Sequence, residues 1–366
     1  MAKGPTETVV TPDGRTFRVT PLEAATEVEL PDEYQPRRLL KRALPAVALL
    51  AALVLVVVLA PGLGEVRETL SGASPGWVLL AVALEAMSGM SYVLMFRPIF
   101  CNNMPWRTSF EISWSELAMG SIVPASGAGG LALGAWVLHQ GGMPGERIAT
   151  RSVAFFLIKS SVNFVAVAVI GTVLALGLVG PDLSLWLTAL PAGLALALIA
   201  GVAALPKLGP GEPAPKDAGK LRRAVSAARK ALIDGIREAG FLLRSRDWKI
   251  LLGSFGYWAF DNAVLLAAFK AFGYSPDVWI VLMGYLIGQL GGLLPLPGGI
   301  GGIDGGLLGT LVVFGLPAAT TAAAVLTYRV VLFWLPLIVG GLAFASLRKG
   351  LNQPERPELC TVPAAT

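Results

Sequence analysis

Apolar residues fill long stretches of this chain, and polar ones gather in a few places between them. Runs near 43–60, 76–96, 152–178, 183–205, 250–272, 278–294 and 318–346 carry almost no charge. About 20 such residues are needed for a helix to cross the hydrocarbon core. The pattern predicts an all-α polytopic membrane protein of about 7–8 transmembrane helices. It also predicts two repeats, each with a Gly/Pro-rich re-entrant or broken helical hairpin.

The polar segments divide the chain into a cytoplasmic N-terminal tail (1–36), a first membrane repeat (37–205), a basic cytoplasmic linker (206–248), a second membrane repeat (249–347) and a disordered tail (348–366). In the first tail, Glu7–Thr11 and Arg15–Thr20 flank Pro12-Asp13-Gly14 and read as a small hairpin about a turn; a tail with marginal structure is the blander reading. No apolar core follows a short basic start, so the tail does not read as a signal peptide. The linker reads as a Pro/Gly segment followed by an amphipathic helix, with Leu221, Val225, Ala228, Leu232, Ile236 and Leu243 on one stripe and bases around it. Such a helix either lies on an anionic leaflet or packs on the protein's own loops.

Charge sets the orientation. Arg37, Arg38, Lys41 and Arg42 precede the first apolar run, and the segment 206–249 holds eleven bases against five acids. Short loops rich in Lys and Arg stay inside, which puts the N-terminus in the cytoplasm and the chain in the inner (plasma) membrane. Seven crossings leave Arg348 and Lys349 outside; eight return them to the cytoplasm, the count that the charge rule favours. The net charge of +5 marks this asymmetry and not nucleic-acid binding, since no basic patch has interleaved aromatics. Charged residues make up 14% of the chain, where a soluble domain has about 25%. Cys101 and Cys360 are far apart and read as unpaired, and His139 is alone; no disulfide, metal or cofactor is expected.

Two segments are apolar yet full of helix breakers: Gly120 to Gly130, around Pro124, and Gly291 to Asp304, around Pro295 and Pro297. Glycine costs about 1 kcal/mol and proline about 3 inside a helix. Irregular backbone persists at membrane depth only when buried in protein or facing a wet cavity. A shift of 171 superposes Pro124 on Pro295, Gly127 on Gly298 and Gly130 on Gly301. Gly142-Met-Pro144 then resembles Gly315-Leu-Pro317, and Lys159 and Arg329 fall at nearly equivalent places. Paired interruptions of this kind point to a transport site.

Ionisable residues inside spans are functional candidates. They are Glu85, Glu116, Lys159, Asp261, Asp304 and Arg329. Two bases beside exposed amides and the glycines Gly127, Gly130, Gly298 and Gly301 suit an anion such as a lipid phosphate. Glu116 and Asp304 would be counter-ions, or the charges pair only to hold the hairpins. Asp261 with Asn262 reads equally as a helix–helix hydrogen bond. Trp77, Trp248 and Trp279 read as interfacial anchors.

The stretch Leu294 to Asp304, with Gly315-Leu-Pro317 and Tyr328-Arg329-Val-Val-Leu-Phe-Trp-Leu-Pro336, resembles the flippase-like membrane domain of lysylphosphatidylglycerol synthases. Ile122 to Gly130, with Glu116 ahead, is similar to it too. The resemblance covers roughly residues 40–346. It departs in having Asp304 where Glu is commoner. About 20 residues follow the last span, so the resemblance implies the lipid-translocating half without the aminoacyltransferase domain. It implies a flippase or scramblase, not an enzyme, for an anionic, aminoacylated or polyprenyl-linked lipid. The expected partners are membrane lipids, with a homo-oligomer left open and no nucleic acid. A secondary transporter of a small solute, a lipid-linked transferase and a membrane scaffold are the competing readings; no D-x-D pair or His cluster supports the transferase.

Overall fold

The computed structural model describes residues 7–10, 16–19, scattered positions between 41 and 55, and 64–122, 128–209, 219–289 and 301–351. Two short strands, β1 (Glu7–Val10) and β2 (Thr16–Val19), pair antiparallel with Glu7 opposite Val19. The expected turn between them lies outside the described residues.

The rest is helical: α1 (Gly64–Ser71), α2 (Pro75–Phe100), α3 (Trp106–Ile122), α4 (Ala128–Gln140), α5 (Gly145–Ala175), α6 (Leu185–Ala204), α7 (Lys220–Arg244), α8 (Trp248–Ala271), α9 (Val278–Gly288), α10 (Gly302–Val313) and α11 (Ala318–Leu351). Among the described residues, five helices are long and apolar enough to cross a bilayer: α2, α5, α6 extended to Lys207, α8 and α11. Shorter apolar helices occupy 43–52, 278–288 and 302–313. The run read as a span at 278–294 is therefore shorter: α9 has 11 residues, which reach only about 16 Å against a core of about 30 Å.

An antiparallel pair, α2 with α8, forms the centre. Ser74 N–H donates to the Ala271 carbonyl at 2.8 Å at one end, and Ser88 Oγ donates to the Tyr257 carbonyl at 3.1 Å farther along. Glycine makes this approach close. A Cβ on Gly253 would lie 2.8 Å from the Ser91 carbonyl and from the Met95 backbone nitrogen.

The two short-helix hairpins lean on this pair from opposite ends. Met119 of α3 and Leu133, Val137 and Leu138 of α4 share a core with Phe96, Phe100 and Phe155, and with Ala239, Leu242, Ile250 and Leu347. Tyr285 of α9 and Leu307 and Leu311 of α10 share a separate core with Phe269, Ile170 and Tyr328. The last residues of α11 thus sit at the same end as the basic helix α7. Leu347 and Leu351 are buried there, which carries α11 past 347, the expected end of the second repeat. The hairpins are tight: Gly288 sits against Leu307 and Gly306 against the Gly288 carbonyl, and Gly130 sits against the Glu116 carbonyl. Helix α3 runs along α11, where Gly340 meets the Trp114 carbonyl and Ala118.

Helix α7 docks by a face beside the expected apolar stripe. Ile233, Ala239 and Leu242 are buried, Gly235 meets Val153, and Arg151 pairs with Glu238 at 2.8 Å, while Leu232 and Leu243 of the stripe stay exposed. Leu221 and Val225 remain 80% and 60% exposed, a face free for a leaflet. Lys230 bridges Glu146 and Asp234 at 2.6 and 3.2 Å, and these bonds raise its pKa above the ordinary lysine value. Cys101 corrects the unpaired reading of the cysteines: it is disulfide-bonded. Distance along the chain does not limit closeness in the fold.

If glycine sets the α2–α8 distance, Gly253→Leu will destabilise the protein by about 1–3 kcal/mol through overpacking. Gly341→Ala, with nothing within 4 Å of its Cβ, will be neutral or stabilising. Thermal unfolding in detergent compares the two.

Candidate functional site

A string of buried polar side chains runs along the α2–α8 pair from one hairpin to the other. At the basic end, α3 supplies Glu116, which is 3% exposed. Tyr92 of α2 donates its hydroxyl to Glu116 Oε2 at 2.8 Å. The Glu116 carboxyl occupies the space that a Cβ on Gly134 of α4 would fill. Helix α5 brings Lys159, whose Nζ lies 5.7 Å from the ring centres of both Tyr92 and Tyr257. The two rings stand edge to face, 5.5 Å apart. Lys159 makes no ion pair among the described residues. A cation over an aromatic face is held by about 0.5–2 kcal/mol, much less than a carboxylate at contact would supply.

The other end is built differently. Asp261 of α8 accepts hydrogen bonds from Tyr285 of α9 at 2.5 Å and Tyr328 of α11 at 2.9 Å. The next residue on α11, Arg329, donates from Nε to Asp304 Oδ1 at 2.6 Å. The second oxygen of Asp304 accepts the Gly301 backbone N–H at 2.9 Å, so Asp304 caps the start of α10 as well. Gly301 has φ +87°, a conformation that suits glycine. Glu85 is buried opposite Asp261 in the α2–α8 register, and its Oε2 has no hydrogen-bond partner among the described residues.

The structure therefore brings Glu116 and Lys159 to one aromatic pair and joins Asp304 to Arg329. Lys159 and Arg329, read as equivalent, occupy unlike environments: one rests on rings, the other in an ion pair. Asp261 belongs to a three-residue hydrogen-bonded unit, more than a simple helix–helix contact. Gly130 backs onto α3, where it serves close packing; Gly127 and Gly298 lie outside the described residues. His139 Nδ1 lies 3.4 Å from the Met143 carbonyl, a local contact. The sequence reading missed Tyr92, Tyr257, Tyr285 and Tyr328. Their signal was present, because a tyrosine in an apolar span needs a partner for its hydroxyl, and Tyr257 lies four residues from Asp261.

Apolar crossing helices, two broken hairpins and a buried charged string define a polytopic α-helical membrane protein. Residues 44–340 match the lysylphosphatidylglycerol synthase TM region, and the chain belongs to that family. It is also similar to two UPF0104 membrane proteins of Methanothermobacter thermautotrophicus. One is 26% identical over 312 residues, 77% of this chain and 86% of the relative; the other is 25% identical over 320 residues, 80% and 91%.

Removing Asp304 strands a buried guanidinium. Asp304→Asn will destabilise the protein by about 3–5 kcal/mol, the usual penalty for breaking a buried pair from one side. Adding Arg329→Met to that variant will recover part of the loss. Melting temperatures of the two variants in detergent check the order.

Proposed function

We propose that the protein translocates a lipid with an anionic headgroup across the bilayer, without itself being an enzyme. The observation that carries this reading is Lys159: a half-buried cation seated on two tyrosine rings, beside Glu116 and with no ion pair among the described residues. Such a cation offers a phosphate a partner that does not first have to be pulled from a carboxylate at contact. Arg329 would take the phosphate only by exchanging it for Asp304, so the second end acts as a gate that opens at an energetic cost. An anionic, aminoacylated or polyprenyl-linked lipid would pass between these two ends with its chains in the bilayer.

The architecture supports the same reading. The hairpins belong to cores at opposite ends of an antiparallel helix pair, as in two repeats of inverted orientation around a central site. In this reading the basic end faces the cytoplasm of the inner membrane, together with both termini. Transport is then passive or coupled to an ion. Family membership in a lipid synthase's membrane region adds support.

Purified protein in liposomes containing fluorescent phosphatidylglycerol will make inner-leaflet label accessible to dithionite. Lys159→Ala will slow this about tenfold or more, the equivalent of about 1.4 kcal/mol, while Lys159→Arg will retain part of the rate. Absence of movement in the wild type for any of several anionic lipids would overturn the proposal, as would an unchanged rate in a folded Lys159→Ala.

A further inference from the structure

A second polar-and-apolar site lies away from the central string, where α7 meets α5 and α6. A cavity of about 560 Å³ opens there. Its walls are apolar, with Phe156 and Phe164 on α5 and Leu198 and Val202 on α6. At its basic end stand Arg237 and Arg244 of α7. Both arginines are exposed. Seven residues apart, they lie on one face of the helix about 10 Å apart. Gly240, between them, also lines the cavity, and nothing lies within 4 Å of the position its Cβ would take. The glycine thus leaves a notch in the helix surface between two guanidinium groups. Arg237 is steered to this corner by a hydrogen bond from Nη2 to the Pro206 carbonyl at 3.3 Å, and its other N–H groups have no partner among the described residues. Arg244 makes no hydrogen bond or ion pair among the described residues.

The depth of the cavity matches its chemistry. Helices α5 and α6 are antiparallel, with Gly171 against Thr188 and Ala192. The cavity lies at their other end and reaches from Pro206 to Leu198 along α6, about 12 Å of helix. It is therefore an apolar slot running into the membrane from a basic rim.

We infer that this slot is a binding site for an anionic phospholipid of the leaflet on the basic side. An acyl chain lies between α5 and α6, and the phosphate sits over Gly240 between Arg237 and Arg244. A free phosphate would satisfy the rim and leave the slot empty, whereas a neutral lipid would fill the slot and leave both arginines without a partner. The site does not depend on the central transport reading; it concerns retention of lipid, not its movement.

The test is lipid retention by purified protein in a neutral detergent, read by native mass spectrometry. The probes are phosphatidylglycerol and phosphatidylcholine with the same acyl chains. Wild type will retain phosphatidylglycerol about tenfold more tightly. Arg237→Ala/Arg244→Ala will bring the two lipids to the same level. Arg222→Ala/Arg223→Ala removes equal charge from the far end of α7 and will leave the preference intact. Gly240→Leu will fill the notch and lower retention of both lipids with the arginines in place. Equal retention of the two lipids by wild type, a preference that survives loss of Arg237 and Arg244, or retention unchanged in Gly240→Leu would each overturn the assignment. Competition by inorganic phosphate alone at the same concentration would do so too.

Discussion

Hydrocarbon offers a peptide group nothing to bond with, so irregular backbone inside a membrane must be enclosed by protein. That constraint organises this structure. Helices of 17 and 13 residues form one hairpin, and helices of 11 and 12 residues form the other. Neither short pair has a surface that lipid alone could cover, because the chain between its helices is rich in glycine and proline. The long helices pack against both pairs. Helix α3 lies on α11 through Gly340, and α9 approaches α5 where Gly171 meets Met283. Each glycine forfeits helix propensity of about 1 kcal/mol relative to alanine. What it permits is backbone contact, and with it dispersion and shielding that no larger residue would allow at that distance.

The same enclosure explains why the charged side chains are arranged as they are. A buried ion needs a partner, and the two cations have found different ones. Arginine presents a rigid fork that suits a lasting bond to a carboxylate; lysine is a point charge on a flexible stem. Arg329 holds Asp304, and through it the start of α10, so the ion pair is also a structural clasp on the second hairpin. Lys159 rests on two rings and makes no ion pair among the described residues. The two cations therefore sit in different surroundings, one in an ion pair and one over aromatic rings.

Much of the fold was legible in the sequence. The long spans follow from the spacing of apolar residues, and so do the acids and bases inside them; the centres of the two Gly/Pro-rich segments lie outside the described residues. What escaped is physically instructive. The run 278–294 reads as one span, although the breaker segment starting at Gly291 falls inside it; the helix stops at Gly288. The tyrosines escaped because a hydroxyl buried in an apolar span has no periodicity of its own. Its importance lies in which helix it faces, and Tyr285 and Tyr328 meet Asp261 from two different helices. The disulfide at Cys101 escaped for a like reason, since proximity in space leaves no trace in the spacing of two cysteines.

One helix links the central string to the peripheral slot. Phe156, Leu157, Ile158, Ser160 and Ser161 all line the slot, and Lys159 among them reaches the tyrosine pair. A lipid seated between α5 and α6 therefore lies against the back of the turn that presents the ammonium group. Helix α7, which carries the two arginines, is fastened to the same α5 by the Arg151–Glu238 pair. The proposed slot and the central string thus differ in chemistry but share α5 as a structural support.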